Sequence, residues 1–261
     1  MAQSNPLYRR IAADLREAMR TGELRPGDRL PTEQELGERY GVSRNTVRLA
    51  LGMLTNEGAI TSTPGRGTFV RDRAMTTYHA SWAEQRDRMS SDQADAYRAE
   101  LASQGRQPEY RDFDMRIVPA TVELAERLCV DEGDSLVSRS FLRLVDGEPS
   151  SLQDSYYPMD IAQECGLITP HDIPQGTVRA MANHGHVEVG YVDEILTRMP
   201  SPDEVRKLSL GAGVPVLVYV RTAYTKQRPV RLTLTTFAGD RNRVVYELGE
   251  LDAYHREQPA P

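Results

Sequence analysis

The chain has 261 residues, room for one large domain or two smaller ones, and its 39% hydrophobic and 27% charged content is that of an ordinary globular protein. No stretch approaches the roughly 20 apolar residues of a membrane-spanning helix, and the N-terminus MAQSNPLYRR lacks an apolar signal core, so a cytosolic protein with no membrane partner is expected. The net charge of −6 is unevenly spread: residues 1–72 hold eleven Arg, no Lys and nine acidic residues, for +2, and the remainder carries −8. The N-terminal part can therefore meet phosphates, while the acidic remainder is a poor match for DNA.

In chain order, Leu7, Ile11, Leu15 and Met19 recur every four residues. This one-sided stripe predicts a first helix, with Pro6 in its first turn and Gly22 as its stop. Thr32 and Glu35 have the S/T-x-x-E spacing in which each side chain satisfies a backbone N–H at a helix start, so a second helix begins there. Its inner side is Leu36 and Tyr40, and Gly41 ends it in a left-handed turn. Ser43 caps a third helix running to about Asn56, with Val47, Ala50, Leu51 and Leu54 inward.

Arg44, Asn45, Thr46 and Arg48 fall in the first turns of that third helix and, apart from an inward-leaning Thr46, face largely outward. A recognition helix presents its N-terminal residues to base edges in this way. Arg can fork onto guanine and Asn onto adenine. Two short strands, Ala59 to Thr63 and Thr68 to Val70, then flank the tip Pro64-Gly65-Arg66-Gly67, whose glycines allow close backbone approach and whose Arg66 suits a narrow minor groove.

The segments LPTEQEL, YGVSRNTVRLAL and GRGTFV resemble the winged helix-turn-helix of the GntR family of bacterial transcriptional regulators, over residues 5–71. The resemblance implies that Arg44 and Arg48 contact operator DNA with Ser43, Asn45 and Thr46 beside them. It also implies that Gly65, Arg66, Gly67 and Thr68 touch the backbone or minor groove. Where the family often has an Arg inside LPTEQEL, this chain has Gln34, which keeps a polar contact and loses the charge.

Residues 73–91 have no sustained stripe and are read as a linker between a DNA-binding domain at 1–72 and a second, effector-binding and dimerisation domain at 92–250. A helical pattern runs from Asp92 to Ser103, followed by alternating strands and short helices: Phe113 to Val118, Val122 to Leu128, a hairpin of Leu136 to Val145 with Ser150 to Tyr157 across Asp146-Gly147, and Val187 to Met199. Ser201 and Glu204 start another capped helix, Val214 to Thr225 and Pro229 to Phe237 make a second hairpin, and Arg243 to Leu248 is a last strand. The fold class is α+β, with a mainly antiparallel sheet.

This part is similar to the UTRA effector-binding domain of the HutC branch of GntR regulators, whose fold is like chorismate lyase. The likeness rests on LRLVDGEPSSLQDSYYP, MPSPDEVRKLSL, PVLVYVRTAY and the closing GDR at Gly239 to Arg241. It implies a small-molecule effector held between the sheet and its covering loops. Members that bind phosphorylated sugars often carry two Arg before the DG turn; here the second is Arg143 and the first is replaced by Phe141. Gln153 replaces an acidic residue, Ala238 an Arg and Asn242 an aromatic. Phosphate binding wants paired cationic donors, so a less charged ligand is expected. Arg139, Phe141, Arg143, Gln153, Tyr156 and Arg241 are the candidate effector residues.

Other chemistry has little support. Cys129 and Cys165 lie outside any CxxC spacing and are read as buried free thiols, and His184 and His186 lack further ligands at metal spacing. Walker, GxSxG and HExxH motifs are absent, and no cofactor is expected. An enzyme with a chorismate-lyase-like catalytic domain is the alternative, weakened by the lack of a nucleophile or acid–base pair. The reading is a ligand-responsive regulator, a repressor that binds an inverted-repeat operator as a homodimer and is released by its effector.

Overall fold

A computed structural model describes residues 6–63, 65–71, 75–81 and 96–248. The chain separates into two compact units: the described residues up to Met75 together with Met199–Pro215, and the described parts of Thr76–Arg198 and Val216–Pro261.

In the first unit, α1 (Leu7–Thr21), α2 (Glu33–Tyr40) and α3 (Arg44–Asn56) surround a core that includes Ile11, Leu15, Leu36, Val47, Ala50 and Leu54. Leu7, at the very start of α1, overhangs that core and is exposed, whereas the rest of its stripe is buried or packs against it. Gly22 and Gly41 both adopt the left-handed conformation that ends α1 and α2, and both halves of the Thr32–Glu35 capping box are formed. The hairpin β1 (Ile60–Thr63) and β2 (Gly67–Val70) is the wing. It gains a third partner from the segment before α2, where Leu30 N donates to Thr68 O at 2.8 Å and Val70 N donates to Asp28 O at 2.8 Å. Gly67 has φ +119°, a backbone conformation that favours glycine, and the Arg29 side chain crosses it, 2.7 Å from where a Cβ would lie. The third helix of the set from the second half of the sequence, α8 (Pro202–Lys207), lies in Met199–Pro215 and opens on the Ser201–Glu204 capping box. A Cβ on Gly211 of that segment would sit 3.5 Å from the Thr55 carbonyl in the last turn of α3.

The second unit is built on a six-stranded antiparallel sheet of order β4-β5-β6-β9-β8-β7. Its strands are β4 (Pro108–Pro119), β5 (Ser135–Val145), β6 (Glu148–Pro158), β7 (Gly190–Arg198), β8 (Val216–Tyr224) and β9 (Pro229–Ala238). The Asp146-Gly147 turn joins β5 to β6 with both residues at positive φ, as a tight hairpin requires. Short helices α4 (Ala96–Ser103), α5 (Val122–Leu128), α6 (Met159–Glu164) and α7 (Thr177–Asn183) accompany it.

Two expectations change, and a third falls outside the described residues. Residues 76–79, inside the stretch read as a linker, form β3 (Thr76–His79), which pairs in parallel with β10 (Asn242–Val245). A four-residue strand carries too little periodicity to show, and its partner is distant in sequence. Trp82 and the first residues of the helix expected from Asp92 lie outside the described residues. Of the two thiols read as buried, only Cys165 is; Cys129 caps α5 at φ 52° and is exposed, because the turn that ends the helix carries it outward.

Candidate nucleic-acid interface and effector site

Ser43 holds the start of α3 by accepting from Thr46 N, and its hydroxyl also lies 3.0 Å from that of Thr46. With Ser43 and Thr46 spent on the cap, Arg44, Asn45 and Arg48 are left exposed on the outer side of the helix, opposite Val47 and Ala50. Among the described residues, Arg44 and Arg48 enter no ion pair, and neither does the exposed Arg66 at the wing tip. Their donors face water, ready for base edges or phosphates. Gly65 is exposed, and Thr68 is half-buried with its hydroxyl 3.0 Å from Ser62. Gln34 is also exposed, on α2, and its amide donates to Glu38 at 3.0 Å. Pro64 lies outside the described residues. Arg29, also exposed, bridges Phe69 and lies across Gly67, beside the wing tip; no local sequence pattern marks it.

On the sheet of the second unit, directly opposed residues of neighbouring strands share a face. One row runs Arg139, Ser155, Thr233, Arg221 and Asp193, and the next runs Phe141, Gln153, Thr235, Tyr219 and Ile195. Arg143 and Ser151 begin a third. The structure thus brings Phe141, Arg143 and Gln153 together. A hydrogen-bonded chain crosses this face. Arg143 donates to Gln153, Gln153 Nε2 donates to Ser155 Oγ at 3.2 Å, and Ser155 Oγ lies 3.0 Å from Thr233 Oγ1. Arg231 donates to Thr233 at 2.7 Å and forks onto Glu188 with two 2.8 Å bonds.

Aromatic rings flank the first member of the chain. The Arg143 guanidinium lies 4.0 Å from the Tyr97 ring centroid and 5.5 Å from that of Phe141, which stacks on Tyr110 at 4.7 Å. Rings so placed stabilise a buried cation through their negative faces. The hydroxyl of Ser151, fully buried beside Arg143, has no hydrogen-bond partner among the described residues.

The other candidates separate. Arg139 shares the face, but its guanidinium donates to the carbonyls of Leu167, Thr169 and His171, clamping the loop after α6; burial holds its pKa below the ordinary value. Arg241 sits at the turn between β9 and β10, paired with Asp240. Tyr156 is the correction. Its row, Ser138 and Leu232, is on the opposite face, because a strand turns alternate residues to opposite sides and Gln153 and Tyr156 differ by an odd number. Ser155, Thr233, Arg231 and Glu188 went unseen, since Ser and Thr on a strand look like a solvated side. His184 Nδ1 donates to the Ala180 carbonyl and His186 pairs with Glu164, and no cluster of metal-ligating side chains occurs among the described residues.

Comparison with known proteins decides the family. The bacterial gntR regulatory-protein family matches residues 7–70, and the UTRA domain matches residues 103–243, more than half the chain. The chain belongs to the GntR family, with the UTRA domain of the HutC architecture. It is similar to the HTH-type transcriptional repressor NagR of Bacillus subtilis (strain 168), 26% identical over 94% of this chain and 96% of that protein. It is 31% identical to the uncharacterized HTH-type transcriptional regulator RB1450 of Rhizobium meliloti (strain 1021), over 92% and 94% of the two chains. The crystal structure of PhnF from Mycobacterium smegmatis shares the fold, with a TM-score of 0.58 at 22% identity over 92% of this chain and 99% of that one. The chain is therefore a DNA-binding transcriptional regulator with an effector domain, and no helix among its described residues is long and apolar enough to cross a membrane.

Proposed function

We propose that this regulator is a cytoplasmic repressor that grips an inverted-repeat operator as a homodimer and lets go when a small molecule occupies the UTRA sheet face. One observation carries the DNA half: the arginines opening α3 and the one at the wing tip are exposed, with none engaged in an ion pair among the described residues. Arg44, Asn45 and Arg48 would read bases, with Ser43 and Thr46 orienting them. Gly65, Arg66, Gly67 and Thr68 would meet the backbone or minor groove, and Gln34 a phosphate. A two-fold protein matches a palindromic site.

The effector half rests on the hydrogen-bonded chain from Arg143 to Glu188, with the orphan Ser151 hydroxyl beside it. A buried polar atom without a partner is costly, and a ligand's polar group relieves that cost. Phe141 and Tyr110 add an aromatic wall, so the ligand has a flat or apolar side as well. This domain senses and does not catalyse. Effector and DNA are then linked, each weakening the other's binding by the same factor. Fluorescence anisotropy on the promoter of the chain's own gene, against unrelated competitor DNA, tests the reading. Binding that competitor removes as easily as it removes random sequence would end it. Thermal shift with a metabolite panel, repeated on Arg143→Ala, identifies the effector class.

A further inference from the structure

The two edges of the six-stranded sheet differ in kind. Strand β4 carries a register break between Arg111 and Asp114, with Asp112 at positive φ, and is lined with the ion pairs Arg111–Glu109 and Arg116–Asp114. Bulges and charges of this sort prevent an edge from recruiting another strand. Strand β7 has charged residues too, but no register break to twist its edge away. It pairs with β8 over all nine residues without a register break and meets no other strand among the described residues. Val192, Ile195 and Leu196 are 50%, 49% and 43% exposed along it.

We propose that β7 pairs antiparallel with β7 of a second copy of this chain, about a two-fold axis through Leu196. Charge complementarity selects that register. With Leu196 opposite itself, Glu194 stands opposite Arg198 of the partner subunit, twice over by symmetry, and Ile195 stands opposite Thr197 of the partner subunit. A shift of the axis by one residue sets an apolar residue against Arg198 instead. The even-numbered set lies on one face, so Leu196 is flanked on both sides by opposite-charge pairs on that face. Glu194 also bonds Arg127 of α5, at 3.1 Å for one of its two contacts. The Glu194 side chain is 47% exposed, so a cross-subunit charge can share the carboxylate. The twelve-stranded sheet that results leaves only the protected β4 edges open. The inference rests on the homodimer of the proposed function and gives that dimer its interface.

Sedimentation equilibrium on the full chain tests it. The chain is expected to be a dimer. Glu194→Arg and Arg198→Glu should each raise the dimer dissociation constant about ten-fold or more, since each places like charges opposite one another twice. The double variant should return it to within about three-fold of the original, because 194 still faces 198 with the signs exchanged. Arg127→Ala should leave association unchanged, and melting curves show that each variant folds. In a Cys129→Ser background, Leu196→Cys should form a disulfide-linked dimer on oxidation, as directly opposed strand residues are close enough to be bridged. A dimer indifferent to both single changes, or a double variant no better than the singles, overturns the β7 pairing and leaves the homodimer standing. A chain that stays monomeric overturns both.

Discussion

Two sets of arginines sit in this molecule, and the difference between them is one of partners. Arg44, Arg48 and Arg66 in the first unit are exposed and unpaired among the described residues. Arg139, Arg221 and Arg231 in the second are 3%, 2% and 8% exposed and engaged: three carbonyls for Arg139, Asp193 and the Ala80 carbonyl for Arg221, Glu188 and Thr233 for Arg231. Guanidinium is weakly hydrated and forks onto planar acceptors, so the same group serves as an internal cross-brace or as a hand held out to nucleic acid. Residue type alone does not distinguish the two; burial and partner do.

That contrast can be broken most forcefully at the buried pairs. Glu188→Ala strands Arg231 without its carboxylate and should lower unfolding free energy by about 3–5 kcal/mol in urea titration. A loss under 1 kcal/mol would mean that water reaches Arg231. Next comes Asp193, whose burial opposes ionisation but whose bonds from Arg221 prevail, holding its carboxyl below the ordinary 3.8. A lowered native pKa means that the stabilisation is full above 3.8 and disappears as pH falls through the native value. Asp193→Asn should therefore be less stable than the parent at neutral pH, with the two denaturation curves converging in acid. Convergence on raising the pH instead would reverse the assignment.

The exposed set should behave oppositely. Arg44→Ala and Arg48→Ala are each expected to lower specific operator affinity by about 1–3 kcal/mol, with melting temperature unchanged. A drop in stability comparable to the drop in affinity would place them with the braces. The smallest change is at Arg66, where alanine should reduce the slope of log affinity against log salt by about one and affect all sequences alike.

How much of this was legible depends on how local the signal is. The caps at Thr32, Ser43 and Ser201 and the left-handed glycines at 22 and 41 are spelled within four residues of their helices, and all five are formed. The hairpin at Asp146-Gly147 is equally local. Strand β3 was hidden because its pairing with β10 is non-local and parallel. Helices α6 and α7, six and seven residues long, are too short for a stripe to stand out. At the effector face, Arg143, Phe141 and Gln153 were accessible through resemblance. The Ser155–Thr233–Arg231–Glu188 chain needed the strand register, which brings together residues far apart in sequence. Strand parity would have removed Tyr156 from the sequence alone.

The stretch Met199–Pro215 falls within the UTRA match, yet it clusters with the helices of the N-terminal unit, where Gly211 leaves room beside the Thr55 carbonyl. The seam by which recombination would exchange sensor modules is thus not the seam along which the polypeptide is physically divided. A fragment ending at Met75 loses part of its own body, and a chimera joined at the linker sets a foreign segment beside the last turn of α3. Descent can shuffle such regulators freely only where that borrowed stretch travels with the half it supports, or is rebuilt to suit its new neighbour.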